Sequence, residues 1–242
     1  MRIAFITDIH IGRPDENTYE VDVRANFEAV LADAVSKTPH FLILGGDLCF
    51  FQGDTTVYEW IESKLTTTGI PYFIISGNHD DPLMLAEAFN QLQRLQSDAF
   101  FYSLKLQHFP ALFLDTTVGE VTPDQMDWLK TQLAQIQEPL LVFMHHPPLL
   151  AEVPFMDRNH ALRNHEAVLA LLERHNYPVD VFSGHYHVDK IIRHGQVTVY
   201  LTPSCFFQID QYEPNFKVDH YRIGWRMIHC DTQRLLTTVH YL

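Results

Sequence analysis

Short apolar runs rich in β-branched and aromatic residues alternate with amphipathic segments along much of the chain. The run Ile3–Ile6 predicts a first strand, and the apolar residues between Glu20 and Ser36 recur at helical spacing. Further helices are predicted around Trp60, Ile61 and Leu65, from Pro82, from about Pro123 to Gln135, and around Val168–Leu172. The other predicted strands are Phe41–Leu44, Tyr72–Ile75, Ala111–Leu114, Leu140–Met144, Val179–Phe182, Lys190–Ile192, Val197–Leu201, Ile223–Ile228 and Leu235–Val239.

The order of these elements changes near Val179. Strands and helices alternate before it, whereas the strands after it are joined by turns alone, which predicts mixed sheets with helices outside. The 242 residues, 46% of them hydrophobic, are enough for one well-buried core. Because no linker-like stretch or internal repeat interrupts them, we expect a single domain over residues 1–242.

Charge and cysteine usage narrow the class of protein. A formal net charge of −13 argues against a partner such as large nucleic acid, but bound metal ions can still make a local site attractive to a small anion. Cys49, Cys205 and Cys230 lie far apart and favour reduced thiols over disulfides. The amino terminus turns polar too early for a secretory signal, and no apolar run is long enough to span a bilayer. We therefore expect a cytoplasmic protein without a membrane partner.

Polar residues gather where predicted strands end. The five motifs are Asp8-Ile9-His10, Gly46-Asp47, Gly77-Asn78-His79-Asp80, His145-His146 and Gly184-His185-Tyr186-His187. Because open α/β sheets place ligands at the carboxyl ends of their strands, we expect these side chains to meet there. The glycines before Asp47, Asn78 and His185 let the backbone approach a ligand closely.

Each motif alone has an ordinary structural interpretation. An Asp after a strand is often a turn former or helix cap, and Asp80 or Asp81 before Pro82 fits a cap. All five motifs together, each at a strand end, favour a shared site instead. Imidazole, carboxylate and amide ligands suit Mn²⁺, Fe²⁺ or Zn²⁺, and a carboxylate can bridge two such ions.

The motif order over residues 8–187 resembles the calcineurin-like metallophosphoesterases. Within that superfamily the chain is most similar to class III cyclic nucleotide phosphodiesterases and bacterial glycerophosphodiesterases. That narrower likeness rests on residues 143–149, on Met156-Asp157 with Asn164, and on residues 203–205 and 224–226. The resemblance implies an α/β (α+β) fold, a four-layer αββα sandwich with two central mixed sheets and the metal site at the carboxyl ends of the strands.

The resemblance also implies roles for individual residues. One divalent ion would be held by Asp8, His10, Asp47 and His187. The second would be held by Asp47, Asn78, His145 and His185. His79 matches the family histidine that assists the leaving oxygen, while His146 matches a position to which we assign no ligand role. The implied reaction is hydrolysis of a small anionic phosphodiester, of the cyclic nucleotide or glycerophosphodiester type, by a hydroxide that bridges two ions (Mn, Fe or Zn).

Three alternatives stay open on the sequence. Instead of a phosphodiesterase, the chain could be a phosphomonoesterase, a nuclease for short nucleic acids, or a binding scaffold without activity. Phe50, Phe51 and Phe155 follow ligand motifs and form either an apolar wall beside the substrate or a core or dimer contact. His160 and His165 border the same region without an assigned role. A homodimer is expected from the resemblance only.

Overall fold

A computed structural model describes residues 1–231 and 233–242 of the chain. The strands of its two large sheets are β1 (Arg2–Ile6), β2 (Phe41–Gly45), β3 (Tyr72–Ile75), β6 (Tyr102–Leu106), β7 (Phe109–Leu114), β8 (Leu140–Met144), β9 (Val179–Ser183), β10 (Lys190–His194), β11 (Val197–Leu201), β14 (Gly224–Cys230) and β15 (Leu235–Tyr241). Four short strands form two small pairs, β4 (Leu95–Gln96) with β5 (Ala99–Phe100) and β12 (Gln208–Ile209) with β13 (Val218–His220). The α-helices are α1 (Val23–Ser36), α2 (Thr55–Thr67), α3 (Pro82–Ala88), α4 (Pro123–Gln135), α5 (Pro154–Asn159) and α6 (His165–Leu172).

Both large sheets are mixed. The five-stranded sheet has the order β15-β14-β1-β2-β3. Strands β1, β2 and β3 are parallel, β14 is antiparallel to β1, and β15 is antiparallel to β14. The six-stranded sheet has the order β10-β11-β9-β8-β7-β6, with a parallel centre of β7, β8, β9 and β11 between antiparallel edges. The parallel strands are buried almost throughout, as expected for strands covered on both faces.

Aromatic side chains join the two sheets face to face. The ring of Phe143 on β8 lies 5.8 Å from Phe5 on β1, and it stacks on Phe113 at 5.0 Å and on Phe182 at 5.5 Å. These separations are typical of favourable aromatic pairs. The packing aligns the ends of β1 and β2 with those of β8 and β9, which is what the site requires.

The helices lie outside the sheets. On β14, Arg226 points inward and donates to the Leu201 carbonyl of the six-stranded sheet, so its neighbour Trp225 points outward, where it donates to Asp33 of α1 at 2.9 Å. The ring of Phe27 on α1 in turn lies 6.0 Å from that of Trp60 on α2. Beside the other sheet, α4 contacts α6 and exchanges hydrogen bonds with the end of β7. The sandwich implied by the resemblance is confirmed.

The predicted elements are all present, with strand ends within two residues of their predicted places. The sequence missed β6, α5 and the four short strands β4, β5, β12 and β13. Strand β6 is a sheet edge with three of its five residues partly or fully exposed, and α5 has only six residues, too few for a periodic pattern. Among the described residues, no helix is long and apolar enough to cross a membrane.

Phe143→Ala should destabilise the fold by about 3–5 kcal/mol, because it removes a fully buried ring that touches both sheets and leaves a cavity. The free energy of unfolding in urea measures this. Tyr212→Ala is the matched control, since that ring is 82% exposed, and it should change stability by less than about 0.5 kcal/mol. Equal losses in both variants would show that Phe143 does not join the sheets as described.

Candidate metal centre

The five motifs meet at one place, contributed by both sheets. The loops after β1, β2 and β3 of the five-stranded sheet face the loops after β8 and β9 of the six-stranded sheet. We call the group that they bring together the histidine–aspartate cluster; it consists of Asp8, His10, Asp47, His79, His145, His185 and His187. Asn78 lines the adjoining cavity and is exposed. The sequence-based expectation of a common strand edge therefore applies to two facing sheets.

The backbone of the cluster is strained. Positive φ angles occur at Asp8 (54°), His10 (46°), Asp47 (50°), His185 (67°) and His187 (51°). Non-glycine residues reach this region rarely, at a cost of about 1–3 kcal/mol each, and Asp and His tolerate it better than most. Hydrogen bonds between the loops offset part of that cost, including the Asp8 amide to the Gly46 carbonyl at 3.1 Å and the His10 amide to the Asp47 carbonyl at 3.0 Å.

The carboxylate of Asp8 is fully buried and held on three sides. Its Oδ2 accepts from Thr7 Oγ1 at 2.8 Å, and the amide of His185 donates to both of its oxygens at 3.0 and 3.1 Å. Its Oδ1 also lies 3.3 Å from Nε2 of His187. Asp8 therefore connects the loop after β1 with the loop after β9 in the other sheet.

The carboxylate of Asp47 lies at the centre of the cluster. Its Oδ1 accepts from the amide of His79 at 3.0 Å. Its Oδ2 lies 3.2 Å from Nε2 of His145, 3.8 Å from Nε2 of His10 and 4.0 Å from Nε2 of His79. One oxygen thus faces imidazoles from three different loops, which is the geometry expected of a shared ligand.

Backbone carbonyls orient three of the imidazoles. Nδ1 of His145 donates to Gly45 at 2.8 Å, Nδ1 of His187 donates to Phe207 at 2.8 Å, and Nε2 of His185 donates to His160 at 2.9 Å. Because a carbonyl only accepts, each ring carries its proton on the nitrogen that faces away from the cluster. The other nitrogen of each ring faces the cluster, as in metal-bound histidines whose second nitrogen is fixed by a carbonyl.

The electrostatics of the cluster favour a cation. Burial lowers the pKa of His10 to about 3 and, together with neighbouring His145, lowers the pKa of His185 to about 3, so both imidazoles are neutral near pH 7. Burial alone would lower the pKa of His145, but Asp47 outweighs it and raises that pKa to about 9. Burial would raise the pKa of Asp47, yet His145 and His10 hold it well below the usual range. The carboxylate thus draws in positive charge.

The donor atoms fit divalent metal ions. Among the described residues, no Lys or Arg pairs with Asp8 or Asp47. Buried Nε2 of His145 and Nδ1 of His10 have no hydrogen-bond partner. Four overlapping triads have donor atoms within 4.8 Å of one another: Asp8-His10-His187, Asp8-Asp47-His145, His10-Asp47-His79 and His145-His146-His185. Imidazole nitrogens around buried carboxylates are a ligand set for a borderline divalent ion.

His146 lies beside the cluster with a partner of its own. Its Nδ1 is 2.8 Å from Oγ1 of Thr116, which also accepts from the His146 amide at 3.2 Å. The ring packs on that of His185, with centroids 4.0 Å apart. These contacts support a role in orienting His185, and the absence of a ligand role stays a prediction.

Asp80 has a role that the sequence did not identify. The helix cap is Asp81, which accepts from the Met84 amide at 2.9 Å. The carboxylate of Asp80 instead accepts from the amides of Leu48 and Gly77 and from the hydroxyl of Tyr58, at 2.8–3.2 Å. Asp80 therefore fixes the loop that carries Asp47 against the loop that carries His79.

A cavity of about 590 Å³ opens over the cluster. Its polar floor contains Asp47, Asn78, His79 and four further histidines, His10, His160, His185 and His187. The remaining lining residues are apolar or aromatic, and none of the described lining residues is Lys or Arg; they are Tyr19, Phe50, Phe51, Phe155, Met156, Phe206, Phe207, Ile209, Phe216, Val218 and Tyr221. Phe50, Phe51 and Phe155 thus line the cavity, as one of the two interpretations expected.

The sequence did not identify the aromatic residues from the last third of the chain. Phe206 and Phe207 follow β11, so they also lie beyond the carboxyl end of a parallel strand of the six-stranded sheet. Their position after a strand could therefore have identified Phe206 and Phe207 as candidates for the site. Nothing local to Phe216 or Tyr221 indicates that they face a cavity.

Comparison with known proteins agrees with this geometry. A family model described as calcineurin-like phosphoesterase matches residues 1–189. A probable cyclic nucleotide phosphodiesterase of Fibrobacter succinogenes is 32% identical over 241 residues, covering 100% of this chain and 94% of that protein. The glycerophosphodiester phosphodiesterase GpdQ of Enterobacter lignolyticus is 29% identical over 221 residues, covering 86% and 79%. A dimetal phosphatase from Danio rerio is similar in fold, with a TM-score of 0.74, 14% identity and coverage of 98% and 95%.

Gly77→Ala should lower metal content strongly, because a Cβ at this position would collide with the amide nitrogen and carboxylate of Asp47. Elemental analysis of protein purified with added Mn²⁺ measures the loss. Gly69→Ala is the control: its added Cβ meets nothing within 4 Å, although its φ of +66° costs stability. Full metal content in Gly77→Ala, with the fold intact, would contradict the close packing on Asp47.

Proposed function

This chain belongs to the calcineurin-like phosphoesterase family, and from that premise we propose that it is a metal-dependent phosphodiesterase for small anionic diesters. The observation that carries the proposal is the convergence of imidazoles from three loops on one oxygen of Asp47. The similarity to a probable cyclic nucleotide phosphodiesterase of Fibrobacter and to a glycerophosphodiester phosphodiesterase of Enterobacter supports the diester class.

We assign two divalent ions, Mn, Fe or Zn, to the cluster. Asp8, His10, Asp47 and His187 would hold one ion, and Asp47, Asn78, His145 and His185 the other. The position of Asp47 between His10 and His145 supports its role as the shared ligand. When bound, such ions supply positive charge for the phosphate oxygens and lower the pKa of water near neutral pH.

Asp8 and Asp47 have a second task besides ligation. Both carboxylates are buried, so their attraction to bound cations would be screened little by water. Two divalent ions against two carboxylates leave a net charge of about +2, which attracts a phosphodiester anion although the whole chain carries −13.

His79 is placed to assist the leaving group. Its side chain is 34% exposed, whereas the side chains of His10, His145 and His187 are at most 7% exposed. It lines the cavity, its amide is fixed on Asp47, and its ring lies edge-on to that of His10 at 5.0 Å. An imidazole in this position can donate a proton to the departing ester oxygen of a bound diester.

The substrate class is tested with a matched panel on metal-reconstituted protein. The kcat/KM for bis(p-nitrophenyl) phosphate should exceed that for p-nitrophenyl phosphate at neutral pH, and cyclic AMP or a glycerophosphodiester should be hydrolysed. Faster turnover of monoesters across the panel would overturn the diester assignment. Loss of all activity after chelation, with recovery on adding Mn²⁺, is the accompanying expectation.

His79→Ala should keep the metal content while kcat falls by about 10²–10⁴, the usual loss for a positioned acid. The loss should shrink for p-nitrophenol, a leaving group that needs little protonation. His108→Ala, in the exposed turn between β6 and β7, is the matched control and should behave as wild type. Metal loss in His79→Ala would instead identify His79 as a ligand, and equal losses for good and poor leaving groups would exclude proton donation.

A further inference from the structure

Three aromatic rings at one side of the cavity are arranged differently from the rest of its lining. The rings of Tyr19 and Phe206 are nearly parallel, with an interplanar angle of 14° and centroids 6.2 Å apart. Phe50 lies 5.5 Å from Tyr19 and 5.9 Å from Phe206, nearly perpendicular to both, at 73° and 86°. We call this group the aromatic slot: two facing rings closed on one side by a third.

The opposite wall lacks such a pair. Phe216 lies 5.5 Å from Phe155 and 5.9 Å from Phe207, but at interplanar angles of 58° and 71°. Phe155 and His160 are likewise tilted, at 54°. That wall is aromatic but does not offer two parallel faces to one planar group.

The two rings that form the faces of the slot, Phe206 and Tyr19, differ in burial. Phe206 is 2% exposed, and its amide donates at 2.8 Å to Ser204 Oγ, which itself donates to the carbonyl of Asp8 at 2.9 Å. Tyr19 is 68% exposed. One face is therefore fixed to the backbone of the cluster, while the other lies at the protein surface.

The turn that presents Tyr19 is built at a cost in strain. Tyr19 and Glu20 both have left-handed backbones, with φ of 54° and 63°. The turn is held by Thr18, whose Oγ1 donates to the Val21 carbonyl at 2.6 Å, and by Asn17, whose Oδ1 accepts from the Glu20 amide at 3.2 Å. Positive φ at both central residues is typical of a type I′ turn, which the Val21 amide closes by donating to the Thr18 carbonyl at 3.1 Å, so this turn sets where the ring of Tyr19 projects.

The slot adjoins the cluster directly. The ring of Phe206 lies 5.3 Å from that of His10. A group joined to a phosphate at the cluster through one or two bonds would thus reach the slot. No charged side chain is part of the slot, so it selects for shape and π-character rather than charge.

We propose that the aromatic slot of Tyr19, Phe50 and Phe206 binds a planar ring carried by the phosphoester and makes Tyr19 a specificity-determining residue. The inference rests on the proposed function, of which it names the substrate class: diesters with a planar aromatic group close to the phosphate. Two stacked contacts need about 7–8 Å between the outer rings at van der Waals separations. The exposed ring of Tyr19 must therefore move outward by about 1–2 Å on binding.

The test uses two phosphonates that the enzyme cannot hydrolyse, benzylphosphonate and cyclohexylmethylphosphonate. They share charge, spacer and ring size and differ in planarity. Calorimetric titration of metal-loaded wild type should show about three- to tenfold tighter binding of the benzyl compound, the range for an aromatic contact beyond its area. Tyr19→Ala should reduce that ratio to about one, and Tyr19→Trp should restore it.

Controls separate this inference from its alternatives. Tyr212→Ala removes an exposed ring that does not line the cavity and should leave the ratio unchanged. A wild-type ratio near one, or a ratio that survives Tyr19→Ala and is lost in Phe216→Ala, overturns the slot. If the slot is overturned but bis(p-nitrophenyl) phosphate is still hydrolysed, the proposed function is kept and only the slot is rejected. If it is not hydrolysed while the ratio follows Tyr19, the slot stands and the proposed function falls.

Discussion

The carboxylate of Asp47 sits between the two sheets, almost fully buried and without a Lys or Arg partner among the described residues. Such a charge is costly unless compensating groups surround it. Here the compensation comes from the imidazoles of His10, His79 and His145 around its Oδ2, and the Gly45 carbonyl fixes the orientation of the His145 ring. The raised pKa of His145 expresses the same demand for positive charge, which a bound cation meets better than a proton.

The need to place compensating groups around Asp47 explains why the backbone is strained just after the strands, while the strands themselves are regular. The packed rings of Phe5, Phe143 and Phe182 align the two sheets, so the loops that follow start from well-defined positions. The left-handed residues then turn the side chains towards one point over a few residues. A rigid core of this kind is what lets several unfavourable backbone conformations persist at a functional site.

The sequence predicted the parts of the site that are local. Asp8, His10 and Asp47 each follow a buried strand by only a few residues, so the strand and the cluster residue can be recognised in one short stretch of sequence. The choice between Asp80 and Asp81 as helix cap was not local, because it depends on buried amides more than 25 residues away in the loop after β2. The aromatic slot could not be predicted from the sequence for the same reason. Tyr19 and Phe206 lie near opposite ends of the chain, and only the stacking of the sheets brings them together.

Charge and shape are divided between two groups of residues in this cavity. The described lining contains no Lys or Arg, so an anion finds its attraction in the cluster alone, at the cavity floor. The walls are aromatic and add contact area that is indifferent to charge. Under the proposed function, the cluster therefore recognises what all phosphodiesters share, and the walls recognise what distinguishes one diester from another.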